Sequence, residues 1–554
     1  MIKQQVQEAL SKALGAKEIT LLTPKDTSFG DYAVNVHQLV GEDKKADGAF
    51  LVKKLQENEL FEKVELKGSF INLFVSQKIL LDKLGYLLKN PDSYGATHLL
   101  TDQKIMVEFA HPNTHKIFHI GHLRNISIGE SLSRILTKNG AQVIRANYQG
   151  DVGLHIAKSL YGIMQTPGGI ETVKEAPLDE KVAFLGKTYA EGNKAYEEDS
   201  VAKEKIHKIN EQIYARDPEI QSLLETTRQW SLDYFDEIYK RVGTKFDRLY
   251  FESEVSEQGL EIAKKALESG ILTTNDGAVI LDGEKHGVDT RVFINSLGLP
   301  TYEAKELGLA ELEFSEHGSL DRNIHVVGPE QKSFFKTTFK TQELLDPKKY
   351  QGKQFHYAYG FVDLKDGKMS SRQGNVLSGA WLLNEARKRV VDAFSVDKNT
   401  AEVITIGAVK YGFLKVDAVK NISFDIKESI SIKGNSGPYL QYAYARTQSL
   451  LQNGNWTTAS AKFTSDINAE ELALLRAFPR FAETVEEAGK SYSPHVIATY
   501  LYDLAQKFSA FYEKQQILQA EAKSRDFRLA LSAATGQIIK NGLYLLGVEV
   551  LEKI

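Results

Sequence analysis

Two histidines, His119 and His122, stand three residues apart around a glycine in the segment His119-Ile120-Gly121-His122. The segment follows a predicted strand and opens a predicted helix. A helix start presents unpaired backbone N–H groups and a partial positive charge, so it attracts phosphate. Residues three apart share one helical face, so both imidazoles can donate to phosphate oxygens as negative charge moves from an α-phosphate to departing pyrophosphate. Gly121 removes a side chain and lets a nucleotide approach the backbone. A second candidate is Lys368-Met369-Ser370-Ser371-Arg372, preceded by Asp366-Gly367 and followed by Gly374-Asn375. Moving an adenylyl group depends mainly on positioning and on neutralising charge, which loop cations near a triphosphate supply. On residue types alone, two unrelated surface histidines and a solvated basic loop remain open.

These residues need elements to position them. Residues 104–109 cluster apolar side chains as a buried strand does. A helix is predicted from about 119 to 138, closed by Asn139-Gly140. Residues 142–146 read as a strand again, so the strand–helix–strand unit predicts a parallel sheet. Residues 156–243 are charged and helical in period, and read as an insertion. Strand-like segments return at 278–281, 324–327 and 360–363. Upstream, a leading helix precedes an alternating run at 69–75, and residues 90–95 read as a turn-rich linker. From about residue 400 the period is helical, with Asn435-Ser436-Gly437-Pro438 as a helix start. The predicted class is α/β: an α+β domain over 1–95, a Rossmann-like parallel-sheet domain over 96–399 with a helical insertion at about 156–245, and an all-α domain over 400–554.

With 554 residues the chain exceeds one ordinary core, which fits three domains. Hydrophobic residues at 42% and charged residues at 26% describe a soluble globular protein. Lys3, Glu8 and Lys12 interrupt the apolar residues of the first segment, which reads as an amphipathic helix rather than a signal peptide. Cytoplasmic residence is the expectation. There is no cysteine, which excludes disulfides and thiolate metal sites. The net charge of −4 gives no global sign of a nucleic-acid partner, although a local basic face can sit within an acidic total.

Together the two chemical segments resemble the HIGH and KMSKS motifs of class I aminoacyl-tRNA synthetases. Residues 107–124, Val-Glu-Phe-Ala-His-Pro-Asn-Thr-His-Lys-Ile-Phe-His-Ile-Gly-His-Leu-Arg, resemble the long arginyl form of the first motif. Asn147-Tyr148-Gln149-Gly150-Asp151, Gly30-Asp31-Tyr32-Ala33-Val34-Asn35, the run 438–446 and the run 541–547 are similar to further segments of the arginyl family, in its order. The resemblance spans essentially the whole chain. It implies arginine activation with MgATP as substrate, then transfer to the 3′-terminal adenosine of tRNA(Arg). It implies no zinc, no organic cofactor and a monomer.

Carried over by resemblance, His119, His122, Lys116 and Lys368 are catalytic, and ATP contacts add Gly121, Met369, Ser370 and Arg372. Ser371 stands where KMSKS has its second lysine, and family members with that change carry an upstream lysine, here Lys116. The arginine pocket implied is Glu108, Asn113, His122, Tyr302, Glu306 and Gln331, with Glu306 where aspartate is usual. From the residues alone, Glu306 could be an exposed helix position and Tyr302 a half-buried core aromatic. The tRNA contacts implied are Asn35, Phe70, Asn72, Tyr439, Tyr442 and Arg446, each of which could instead pack. Val152, His111 and Ile554 depart from the usual residues and are read as lying outside the core chemistry. Among rivals, synthetases holding zinc through cysteine are excluded. A small-molecule nucleotidyltransferase has no need of the helical C-terminal region, and a non-enzymatic RNA binder none for the paired histidines, Lys116 and Lys368.

Overall fold

The computed structural model describes residues 1–14, 19–24, 26–37, 48–365, 377–460 and 466–554. Contacts divide it into two compact units, one of residues 1–99 with 431–554 and one of residues 100–430.

In the first unit, strands β1 (Tyr32–Asn35), β2 (Phe61–Lys67) and β3 (Phe70–Val75) form an antiparallel sheet in the order β1-β3-β2. Gly30 enters this sheet at φ 87°, and a Cβ there would stand 2.7 Å from the Leu73 carbonyl oxygen, so only glycine fits. The C-terminal part is helical, with long helices Gly437–Asn453, Pro494–Lys514 and Ala522–Leu545. The expected start at 435–438 is built as predicted: Ser436 caps the first helix through the Tyr439 amide, with Pro438 in its first turn. Residues 90–95 do not hang free as a linker. The Asn541 amide donates to the Pro91 and Tyr94 carbonyls at 2.8 and 3.2 Å, and Tyr94 stacks on Phe481.

In the second unit, β4 (Lys104–Glu108), β5 (Gln142–Gln149), β6 (Arg248–Phe251), β10 (Arg322–Val327) and β11 (Gln354–Ala358) form a fully parallel sheet. Its order is β11-β10-β4-β5-β6. Three shorter strands, β7 (Thr273–Asn275), β8 (Ala278–Leu281) and β9 (Arg291–Ile294), make a separate antiparallel sheet, and β12 (Val362–Leu364) pairs in parallel with β13 (Ile422–Phe424). The strand-like segments at 278–281 and 360–363 therefore lie outside the main sheet. The insertion is a bundle of four helices, Leu154–Gln165, Leu178–Glu198, Ser200–Tyr214 and Pro218–Arg241, whose inward apolar residues include Ile156, Leu160, Ile206, Ile213 and Trp230. Helix Lys398–Leu414, assigned from sequence to the C-terminal region, belongs to this unit.

From β4 the chain proceeds to β5 on one side, and β10 lies on the other. This reversal leaves a crevice at the strands' carboxyl ends, where open parallel sheets bind ligands. The helix Ile120–Lys138 follows the loop that leaves the carboxyl end of β4. Asn139 and Gly140 (φ 99°) end it as expected, and a Cβ at Gly129 would meet the Phe109 ring at 2.2 Å, so glycine allows the close helix–strand crossing.

Candidate active site

Between β4 and the helix runs a loop with Ala110, His111 and His115 at φ 84°, 50° and 63°. Left-handed conformations cost non-glycine residues roughly 1–3 kcal/mol each and persist where the surroundings over-determine them. Here they do. The Ala110 amide donates to Asn125 Oδ1 (2.6 Å), the His111 amide to Asn147 Oδ1 (3.1 Å) and the Thr114 amide to the Gly150 carbonyl (2.9 Å). The His115 amide donates to Ser231 Oγ (3.0 Å), and its ring bonds Thr114 and Thr227 at 3.1 and 2.8 Å. Burial holds that imidazole neutral, near pKa about 3, with Arg228 adding to the effect. The insertion helix Pro218–Arg241 thus props the loop that presents Lys116. The Lys116 ammonium is half-buried, 5.5 Å over the Tyr189 ring, and burial lowers its pKa.

His119 caps the helix, and its ring stacks on His122 with centroids 3.7 Å apart. The His119 amide donates to His122 Nδ1 at 3.1 Å. Burial, reinforced by His119, His111 and Lys116, holds His122 well below the usual imidazole range. A neutral ring that accepts at Nδ1 carries its proton on Nε2, so His122 is a fixed donor. Burial and Lys116 also depress His119. A Cβ at Gly121 would stand 2.9 Å from the His119 ring, so this glycine makes room for the imidazole as well as for any ligand. Lys368, Met369, Ser370, Ser371 and Arg372 lie outside the described residues. Beyond them, the Ile120 amide donates to the Leu377 carbonyl (3.0 Å) and the Gly379 amide to that of Phe118 (2.8 Å).

An acidic slot lies beside this helix start. Glu108 ends β4 at 2% exposure, in register with His325 on β10. His325 donates to Glu108 at 3.1 Å and meets Gln354 at 2.9 Å through its other nitrogen. Burial pushes Glu108 upward, but His325 and His111 overcome it and hold the carboxylate at about 2. His325 is correspondingly raised to about 9, against its own burial, chiefly by Glu108. Glu313 is driven well above the carboxylate range by burial and by Glu108. Its Oε2 accepts from the Asn323 amide at 2.7 Å. Glu306 is 4% exposed, and burial raises it to about 7, with His325 opposing and Glu108 adding. Among the described residues, its Oε1, Glu108 Oε2, Glu313 Oε1 and the Tyr148 hydroxyl are buried without a hydrogen-bond partner. A buried carboxylate oxygen without a partner is costly and fits a site for a cation.

The structure therefore brings Glu108 and Glu306 together and excludes an exposed position for Glu306. Tyr302, 58% exposed at the start of helix Tyr302–His317, is no core aromatic. Asn113 lies against Gly150, where a Cβ would stand 2.1 Å from its Oδ1, and Gln331 occupies the short turn after β10. His111, read as outside the chemistry, is 3.7 Å from Glu108 and depresses His122, so it links slot and helix start. Sequence reasoning missed His325 and Glu313. The one available signal was a histidine inside the apolar strand Ile324-His325-Val326-Val327.

In the other unit, Asn35 pairs with Phe70 across β1 and β3, and Phe70 is exposed. Asn72 is 2% exposed, and among the described residues its amide nitrogen has no hydrogen-bond partner. Arg446 lies 4.9 Å from the Tyr442 ring and 4.6 Å from that of Tyr512, a residue missed from sequence. Tyr439 meets Tyr502 edge-on at 5.7 Å.

A parallel sheet with histidines stacked at a helix start over its point of reversal, and an acidic slot alongside, defines a class I aminoacyl-tRNA synthetase catalytic domain. Residues 84–426 match the family described as tRNA synthetases class I (R), catalytic domain. Residues 1–75 match the arginyl tRNA synthetase N terminal domain, and 440–554 the DALR anticodon binding domain. An arginine–tRNA ligase of Parabacteroides distasonis is 34% identical over 525 residues, covering 88% of this chain and 87% of that protein. One of Borreliella afzelii is 32% identical over 574 residues, covering 99% and 97%. The fold is similar to that of Thermus thermophilus arginyl-tRNA synthetase, with TM-score 0.81, 24% identity and full coverage of both chains. The chain belongs to the arginyl-tRNA synthetase family.

Proposed function

We propose that the chain activates arginine with MgATP and transfers it to the 3′-terminal adenosine of tRNA(Arg), releasing AMP and pyrophosphate. The observation that carries this reading is the partnerless Glu306 oxygen in a slot already holding an ionised Glu108, next to the stacked histidines. A guanidinium offers five donors in a plane and suits such acceptors. Glu306 and Glu108 take the guanidinium, Tyr302 covers it, and Asn113, Gln331 and His122 hold the α-amino and carboxylate end. The arginine carboxylate attacks the α-phosphate in line, the α–β bridging bond breaks, and pyrophosphate leaves. His122, fixed as an Nε2 donor, and His119 stabilise the phosphate oxygens, with Gly121 against the nucleotide. Lys116 and Lys368 carry the cations for the pyrophosphate, Met369 and Ser370 line the nucleotide and Arg372 assists. A ribose hydroxyl, the 2′ by class resemblance, then attacks the activated carbonyl and AMP leaves.

The first unit supplies tRNA contacts. Phe70 and Asn35 offer stacking and an amide edge, and Tyr439, Tyr442 and Arg446, joined by Tyr512, offer aromatic faces around a cation. The enzyme acts as a cytoplasmic monomer. No described helix is long and apolar enough to cross a membrane.

The deciding experiment is arginine-dependent ATP–pyrophosphate exchange, with and without tRNA, lysine serving as control. Exchange with arginine and none with lysine is expected; equal exchange with both, or none under any condition, refutes the reading.

A further inference from the structure

The second turn of the helix Ile120–Lys138 carries a charge that the reaction above does not use. Arg124 is 0% exposed and heads the largest fully buried side chains. Among the described residues, its hydrogen-bond partners are backbone carbonyls rather than carboxylates. Nη1 donates to the carbonyls of Gly360 and Phe361, the latter at 2.7 Å, and Nη2 to those of Ala418 (3.0 Å) and Lys420 (2.7 Å). Tyr359 lies 5.8 Å from the guanidinium. Burial lowers the pKa only to about 10, so the group is charged at neutral pH.

The four carbonyls belong to two chain segments that run together. The Gly360 amide donates to the Ala418 carbonyl (2.9 Å) and the Ile422 amide to that of Phe361 (2.8 Å), leading into β12 and β13. A Cβ at Gly360 would stand 2.5 Å from the Lys420 carbonyl, so the crossing is tight. β12 ends at Leu364, just before the segment 366–376, and the chain after that segment is bonded to Phe118 and Ile120 of the same helix start. Both flanks of the cationic motif are therefore tied to the helix that carries His119 and His122, and Arg124 makes the upstream tie.

We propose that Arg124 is a positioning residue for adenylate formation. It fixes the paired strands β12 and β13, through the carbonyls of Gly360, Phe361, Ala418 and Lys420, relative to the two histidines without touching substrate. The planar fork suits the task, because two nitrogens reach two carbonyl pairs at once, whereas a lysine donates from a single point. This inference rests on the reading of the Lys368 segment as a phosphate-binding element.

Arg124→Lys and Arg124→Met are tested in steady-state tRNA charging, with arginine affinity by calorimetry and thermal unfolding measured in parallel. Loss of a charge-assisted hydrogen bond predicts that the lysine variant loses about tenfold or more in kcat/KM for ATP. Arginine affinity should stay within about twofold of the parent, because the slot is untouched. Wild-type ATP kinetics in a folded variant overturn the proposal. So does a loss of arginine affinity equal to the loss for ATP and tracking the fall in Tm, which is general loosening. If the methionine variant does not fold, the lysine variant decides. His122→Asn and Lys368→Met test the underlying reading separately. Full activity in those two refutes that reading, whereas their inactivity beside a normal Arg124→Lys refutes the positioning role alone.

Discussion

Glu306 should make arginine binding pH-dependent near neutrality. In the free protein its carboxyl is raised to about 7 by burial, whereas a bound guanidinium requires the carboxylate. Binding must then expel a proton whenever the solution is below that value. For one such group the apparent dissociation constant scales as 1 + 10^(pKa − pH), a factor of about 11 at pH 6 and about 1.1 at pH 8. Arginine should therefore bind about tenfold more weakly at pH 6 than at pH 8, with about 0.9 proton released per arginine at the lower pH. Glu108 is ionised at about 2 and His325 is charged up to about 9, so neither titrates in this window. The assay is calorimetry of arginine binding in buffers of differing ionisation enthalpy, which counts protons directly. In Glu306→Gln the slope should vanish along with most of the affinity. An unchanged affinity between pH 6 and pH 8, or a slope that survives in Glu306→Gln, would refute the reasoning. The sign for stability runs the other way from binding. A carboxyl raised from 4.5 to about 7 gives the fold stability that is fully present below 4.5 and lost as pH rises through 7, a loss limited to about 3 kcal/mol. Glu306→Gln should thus raise Tm at pH 8 and leave it unchanged at pH 4.5.

Two further outcomes follow from close contacts. Gly121→Ala places a Cβ 2.9 Å from the His119 ring, so the stacked pair must shift. Charging should fall at least about tenfold while Tm changes little, and a fully active variant would show that the stack tolerates displacement. Asn541→Ala removes the donor that holds the Pro91 and Tyr94 carbonyls, which should destabilise the first unit by about 1–3 kcal/mol in denaturant unfolding. No change in midpoint would mean that residues 90–95 are held by the Tyr94 contacts alone.

The fold was legible where the signal is local. The strand at 104–108, the helix through Lys138 with its Asn139-Gly140 ending, and the Ser436-Pro438 helix start all follow from short-range capping and periodicity. β6 and β11 were missed, because Arg248–Phe251 and Gln354–Ala358 are short and mix polar with aromatic residues, and pairing with β5 and β10 makes them strands. Helix Lys398–Leu414 was placed with the wrong neighbours because period reports helix but not which core receives it.

The sequence by itself determined the order of chemical segments, the helix start that presents His119 and His122, and the presence of acids at 108 and 306. Those depend on neighbours within a turn or two. The tertiary structure decided the state of the slot: which carboxyl is ionised, which keeps its proton and which oxygen is left for a cation. Glu108 and His325 are 217 residues apart and meet only because β4 and β10 lie side by side. Protonation depends on burial and on charges a few ångströms away, and neither is written in local sequence.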